Sequence, residues 1–211
     1  MSLRQKKKEK IKARLESTAR EIFLSHGYEK TTVAEIAEKA GIAVGTFYNY
    51  FASKAELFSL LFFVGPESNA REKAEMIVSN PGHSVLETLH QLLDVYMDAS
   101  ADILQQAPKK LWKDIIAAFA SNVEAHEKTL RYFIQSDFTF MAHIGRLIQY
   151  YQAQGQLVDS FDPMDAARCI YGICFTPFPL YLLEEDQSFQ EMKSNLFRHV
   201  DLFFSNKLRT T

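Results

Sequence analysis

Glu87 and His90 stand three residues apart, a spacing that puts a carboxylate and an imidazole on one face of a helix. Di-iron helical bundles use such pairs, but a site needs two of them plus two further carboxylates, and no second pair occurs in the chain. Asp94, Asp98 and Asp102 continue the His90 row at i+4 steps, opposite the apolar stripe Val85, Leu89, Leu92, Tyr96, Ala99 and Ile103. That position describes a solvated acidic face, with a cation site as the alternative. Cys169 and Cys174 are five residues apart, form no CxxC pair and read as reduced thiols. There is no Ser/His/Asp or Cys/His pattern, no glycine-rich phosphate loop and no zinc spacing. No catalytic residue, cofactor or metal is therefore expected, and the chain reads as a binding protein rather than an enzyme.

The informative groups lie in residues 31–54, TTVAEIAEKAGIAVGTFYNYFASK. Thr32 is placed to cap a short helix whose inner face is Val33, Ile36, Ala37 and Ala40. Gly41 supplies the turn, because a tight turn needs a residue that accepts positive φ. A second short helix follows, with Phe47 and Phe51 inward and Val44, Gly45, Thr46, Tyr48 and Asn49 on its other side. Two short helices joined at a glycine form a helix-turn-helix. Small, hydroxyl and amide groups on the outer face of the second can lie against base edges and phosphates in a major groove.

The elements that must hold these groups are all helical. The chain has 211 residues, 47% of them hydrophobic, with 8 Gly and 6 Pro, too few turn residues for a many-stranded protein. Apolar residues recur every three to four positions, and Thr32-x-x-Glu35, Ser53-x-x-Glu56, Ser84-x-x-Glu87 and Ser188-x-x-Glu191 read as capping boxes. The expected fold is all-α with about nine helices, divided into domains at 1–54 and 55–211. Helices are expected over 5–26, 33–40, 44–51, 54–64 continuing or restarting to 79, 85–105, 109–120, 123–154, 163–178 or beyond, and 189–207.

Charge supports the division. Residues 1–54 hold 11 Lys+Arg against 6 Asp+Glu, a net of +5, while residues 55–211 carry −7. A basic head on an acidic body suits a protein that offers one face to a polyanion. No secretory signal is legible in residues 1–20, and the apolar runs 57–64 and 170–183 are too short to span a bilayer, so a cytoplasmic location is expected.

The segment resembles the DNA-binding domain of the tetracycline-repressor (TetR) family of bacterial transcriptional regulators. The resemblance rests on Gly27-Tyr28, Thr31-Thr32-Val33, Ile36-Ala37, Ala40-Gly41-Ile42, Gly45-Thr46-Phe47-Tyr48, Tyr50-Phe51 and Ser53-Lys54, and covers about residues 10–60. A weaker echo is Gly155-Gln156-Leu157 with Asp162-Pro163 and Ala166-Ala167. It implies that Thr32 and the start of its helix hold a phosphate, and that Val44, Gly45 and Thr46 approach bases. Tyr48 and Tyr50 would brace phosphates or thymine methyls, Asn49 could read adenine, and Lys54 would bind a phosphate. The lysine tail, Arg4 to Lys12, would add non-specific affinity. Ala43 departs from the family's usual Ser or Thr cap, at a cost of about 1 kcal/mol.

The same resemblance implies a body that binds a small effector and forms a homodimer. The interface would use Ala167, Ile170, Cys174, Leu196, Val200 and Phe203 of the last two helices. The competing reading is that this stripe is core within one subunit. The effector site would draw on Phe62, Trp112, Phe119, Phe138, Met141, His143, Tyr151 and Phe175, although core packing competes for every ring. Such a wall, with few basic residues, suits an uncharged or cationic hydrophobic or aromatic molecule; a fatty acid or acyl thioester held by one inward arginine stays open. Gly65-Pro66 interrupts the family's connecting helix, and Pro177 and Pro179 its dimer helix. The outcome of effector binding is expected to be release from a near-palindromic operator. The alternative is a helical enzyme or metal protein with a vestigial DNA-binding motif.

Overall fold

The structure is a computed structural model that describes residues 2–121 and 127–209. Within its helices the side chains of residues 63–68, 100, 102, 103, 105, 106, 119, 121, 128–130, 132, 133 and 136 are not described. The elements are α1 (Leu3–His26), α2 (Val33–Lys39), α3 (Val44–Phe47), α4 (Lys54–Ser59), a π turn (Leu60–Val64) and α5 (Gly65–Ser79). They continue as α6 (Val85–Gln106), α7 (Lys109–Ser121), α8 (Glu127–Ala153), α9 (Pro163–Phe175), α10 (Pro177–Leu183) and α11 (Phe189–Phe204). Among the described residues the only extended pairing is an isolated bridge between Leu157 and Leu208. The expected start of the long helix at Val123 lies outside the described residues.

Nine expected helices become more segments because prolines divide two of them. Position 66 is a proline, a residue that donates no backbone hydrogen bond and fits poorly inside a helix. The helix widens into the π turn just before it and resumes as α5. Pro177 divides α9 from α10 while Thr176 keeps helical dihedrals, φ −58° and ψ −41°, so the run Pro163–Leu183 stays close to helical although Pro177 and Pro179 supply no N–H. At 21 residues it is, by length and composition alone, long and apolar enough to cross a membrane, contrary to the shorter span read from the sequence.

Starts and stops are local chemistry. Thr32, Ser53 and Ser188 accept from the backbone N–H groups of Glu35, Glu56 and Glu191. Asp162 accepts from Met164 and Asp165 ahead of Pro163. The reciprocal box is complete at Ser188, where Glu191 accepts from the Ser188 N–H at 2.8 Å. At Thr32 the Glu35 carboxylate instead meets His26 Nδ1 at 2.8 Å.

The chain packs into two compact units, a different partition from a cut after Lys54. The first is Met1–Pro66 with Gln106–Arg131, and the second is Glu67–Gln105 with Tyr132–Thr211. In the first, Leu15, Ile22 and Phe23 of α1 are buried with Ile36, Phe47, Phe58 and Trp112. In the second, Leu89, Leu92, Ile144, Ile148 and Tyr151 form a core with Ala167, Ile170, Leu196 and Val200. The acidic row of α6 is neutralised within the second unit: Lys193 of α11 lies 2.7 Å from Asp94 and 2.8 Å from Asp98, and His90 Nε2 lies 2.8 Å from Asp201. Asp94 and Asp98 therefore link α6 to α11 through Lys193 while staying 43% and 66% exposed, so they form the solvated face expected of them; the Asp102 side chain lies outside the described residues.

Candidate nucleic-acid interface

The first unit builds its exposed face around one turn. Gly41 has φ +63°, the left-handed region that a side chain strains to enter, and Ile42 N–H then donates to Ala37 O at 2.9 Å, closing α2. Helix α3 follows with Ala43 at its cap and no side-chain capping bond, as its residue type dictates. So short a helix has little stability of its own. It is held by Phe47, which is fully buried, with ring centroids 5.7 Å from Phe51 and 5.5 Å from Tyr48.

The opposite side of α3 is open. Val44, Gly45, Tyr48 and Asn49 are exposed, with Tyr48 at 54%, while Thr46 and Tyr50 are half-buried. Gly45 does not have a positive φ, and a Cβ built there meets nothing within 4 Å. The protein's own packing therefore does not require glycine at this position. Thr32 is exposed at the start of α2, and Lys30, an exposed cation two residues before it, completes that edge. Sequence periodicity did not single out Lys30, because a loop residue belongs to no helical stripe.

The Lys54 ammonium donates to Tyr28 O at 2.7 Å and Thr31 O at 2.9 Å, and sits 4.2 Å from the Tyr28 ring centroid. Burial pushes its pKa below the usual lysine range, opposed by Glu29, and burial raises the Tyr28 hydroxyl to about 12. Lys54 thus ties the α1–α2 loop to α4 while staying half-buried. Lys54→Met, which keeps the stem and removes the ammonium, is expected to destabilise the protein by about 2 kcal/mol, the scale of hydrogen bonds to a charged group. A urea midpoint equal to wild type, together with weakened DNA binding, would assign Lys54 to the phosphate role instead.

The expected effector residues that are described divide between the two units. Phe62 and Trp112 belong to the ring core of the first unit, where Phe62 stacks on Phe58 at 4.5 Å and meets Trp112 edge-on at 6.0 Å. The Phe119 side chain lies outside the described residues. In the second unit Met141 and Tyr151 are core, and the Tyr151 hydroxyl lies 2.7 Å from Gly82 O and 2.6 Å from Thr88 Oγ1. Phe138 and Phe175 are instead 60% and 57% exposed. His143 is buried, with Nδ1 2.7 Å from the Tyr96 hydroxyl and Nε2 3.2 Å from Glu75 Oε2. Arg146 holds the same carboxylate with two bonds of 2.8 and 2.9 Å. Hydrogen bonds from Arg146 and Ser79 bring the Glu75 pKa down to about 2, and burial lowers that of His143. His143 borders an open groove of about 620 Å³ lined also by Arg71, Glu75, Met76, Ser79 and Thr139.

The residues assigned to the dimer interface are also relocated. Ala167, Ile170, Leu196 and Val200 are at most 1% exposed within one chain, so they have no surface to offer a partner. Cys174 and Phe203 are half-buried against the same core. The apolar stripe faces inward, which is the competing reading of the sequence. The outer side of α9–α10 carries Cys169, Gly172, Phe175, Pro179 and Leu183, all exposed.

A turn-linked helix pair with one buried aromatic face and one open face of small and hydroxyl groups defines a helix-turn-helix DNA-binding unit. Residues 16–61 match the family of bacterial regulatory proteins, tetR family. The HTH-type transcriptional regulator TcmR of Streptomyces glaucescens is 46% identical over 55 residues, covering 26% of this chain and only 24% of TcmR. The uncharacterized HTH-type transcriptional regulator YdgC of Bacillus subtilis (strain 168) is 30% identical over 132 residues, covering 57% of this chain and 67% of that protein. A TetR-family transcriptional regulator from Mesorhizobium loti has the same fold, with a TM-score of 0.66 at 21% identity over 95% of this chain and 98% of its own. The chain belongs to the TetR family of bacterial transcriptional regulators.

Proposed function

We propose that the protein is a cytoplasmic repressor that binds a near-palindromic operator as a homodimer and is released by a small hydrophobic or aromatic effector. The observation that carries the DNA reading is Gly45, exposed in α3 with open space where a side chain would stand. A glycine that the fold does not need suits close approach of another molecule's surface. Beside it Val44, Thr46, Tyr48 and Asn49 present the methyls, hydroxyls and amide that read base edges and phosphates. Two copies would place their α3 helices in successive major grooves about 34–36 Å apart.

The outer side of α9–α10 supports the dimer. Only 33% of the most apolar window of Pro163–Leu183 is buried within the chain, which leaves Phe175 and Leu183 exposed. A second copy covering that side would remove them from water. An effector acts by binding the non-binding conformation more tightly, because a ligand indifferent to the two shifts neither.

Gly45→Ala tests the reading with effects of opposite sign. The added methyl meets nothing in the protein and removes backbone freedom from a helical position, so stability is expected to rise by about 0.5–1 kcal/mol. Affinity for a duplex selected by the wild-type protein from a random-sequence library is expected to fall, read by fluorescence anisotropy. Undiminished affinity would take α3 out of the groove.

A further inference from the structure

Helix α1 overhangs the unit it belongs to. It begins at Leu3, yet its first half-buried residue is Ile11 and its first buried one is Leu15. Residues 2–10 are all exposed, including Leu3 at 87%. At about 1.5 Å per residue the overhang from Leu3 to Lys10 is an arm roughly 12 Å long. It carries Arg4, Lys6, Lys7, Lys8 and Lys10 against a single acid, Glu9. None of these five cations has an ion-pair partner among the described residues, whereas Lys12 pairs with Glu16 and Lys39 with Glu21.

The arm's composition changes in register with its surroundings. The inward stripe of α1 is Ile22, Ala19, Leu15 and Ile11, and its continuation at the same three-to-four spacing is Lys8, Lys7 and Arg4. Where the body ends beneath the helix, the apolar stripe becomes cationic. The packing also sets where the arm points. His26 meets Glu35 and Glu21 meets Lys39, so α1 runs antiparallel to α2. The arm therefore leaves at the end of α2 from which the Gly41 turn enters α3, opposite the end marked by Thr32.

We propose that this arm is a second DNA-binding element, lying along phosphates outside the segment read by α3 and lengthening the operator at both ends. The proposal rests on the DNA-binding reading of α2–α3 and adds the partner surface of a helix that the turn-linked pair does not include. Measured along the duplex axis, each strand carries a phosphate about every 3.4 Å, so an arm of roughly 12 Å lying parallel to the axis passes three to four of them, in keeping with the three cations of its inward side. An anionic membrane is the poorer partner, because a surface-seeking helix needs an apolar face and the arm offers only Leu3.

The test uses the full chain with Arg4→Gln, Lys6→Gln, Lys7→Gln, Lys8→Gln and Lys10→Gln combined. The probe is the duplex that the wild type selects from a random library, prepared with long flanks and trimmed to its selected core. The wild type is expected to bind the long duplex more tightly, with a footprint about three base pairs wider at each end than that of the variant. The variant is expected to bind at least tenfold more weakly at 50 mM salt, with a salt slope shallower by about 3 to 4 per subunit. It should melt like the wild type, since no replaced side chain is buried. A companion with the four lysines changed to arginine should bind like wild type. Equal affinity, slope and footprint for the glutamine variant would overturn the arm's role and leave the α3 reading intact. Selection of no sequence by the wild type would overturn both. Loss of binding to phosphatidylglycerol vesicles with DNA binding unchanged would assign the arm to a membrane and also overturn the proposal.

Discussion

Ile170→Asp is expected to abolish the folded protein instead of producing a folded monomer. Ile170 is fully buried within one chain, between Ala166 and Ala167 on one side and Cys174 on the other along α9, in a core shared with Leu196 and Val200 of α11. The substitution removes about 1.5–3 kcal/mol of apolar burial. It also places a carboxylate among the apolar residues of that core, and an unpaired buried charge costs several kcal/mol or its protonation. Together these approach the about 5–15 kcal/mol that holds an ordinary domain folded. Circular dichroism and sedimentation decide it: insoluble or unfolded protein is the expected result. A folded, monomeric Ile170→Asp would move the residue back to a subunit interface.

Phe47→Ala is expected to cost about 3–5 kcal/mol, the range for an aromatic deleted from a core. Three features of α3 make the upper part of that range the expectation. The helix comprises only Val44–Phe47, it lacks a side-chain cap at Ala43, and Phe47 is its fully buried residue, in contact with the rings of Phe51 and Tyr48. Its order therefore comes from this anchor, and operator binding should disappear with it. The measurement is the melting temperature, expected to fall by well over 10 °C for a unit of this size. An unchanged value would mean that the two faces of α3 are reversed.

The helix-turn-helix was legible because its signals act over a few residues. A Thr at a cap bonds a backbone N–H three positions on, Gly41 enters a region of φ that its neighbours cannot, and Phe47 and Phe51 share a face by helical period alone. The same local reasoning placed the breaks at Pro66 and Pro177, and identified Ala43 as a cap without a side-chain bond. It could not decide what each apolar stripe meets. Ala167, Ile170, Leu196 and Val200 form the pattern that a core and a dimer interface both require.

By itself, then, the sequence determined the helices, most of their starts, the turn-linked pair and the basic head, since caps, periodicity and charge are properties of neighbouring residues, whereas the helix expected over 44–51 ends at Phe47. Tertiary structure decided the partners. Phe62 and Trp112 joined one core while Met141 and Tyr151 joined another, although all four read alike as rings and apolar residues in helices. Lys54 turned to the carbonyls of Tyr28 and Thr31, 26 and 23 residues away, and Lys193 reached across 95 residues to Asp98. A helical period states that a face is covered, and a charge states that it will seek an opposite. Which distant residue does the covering or the pairing depends on how the whole chain closes, and no local pattern records it.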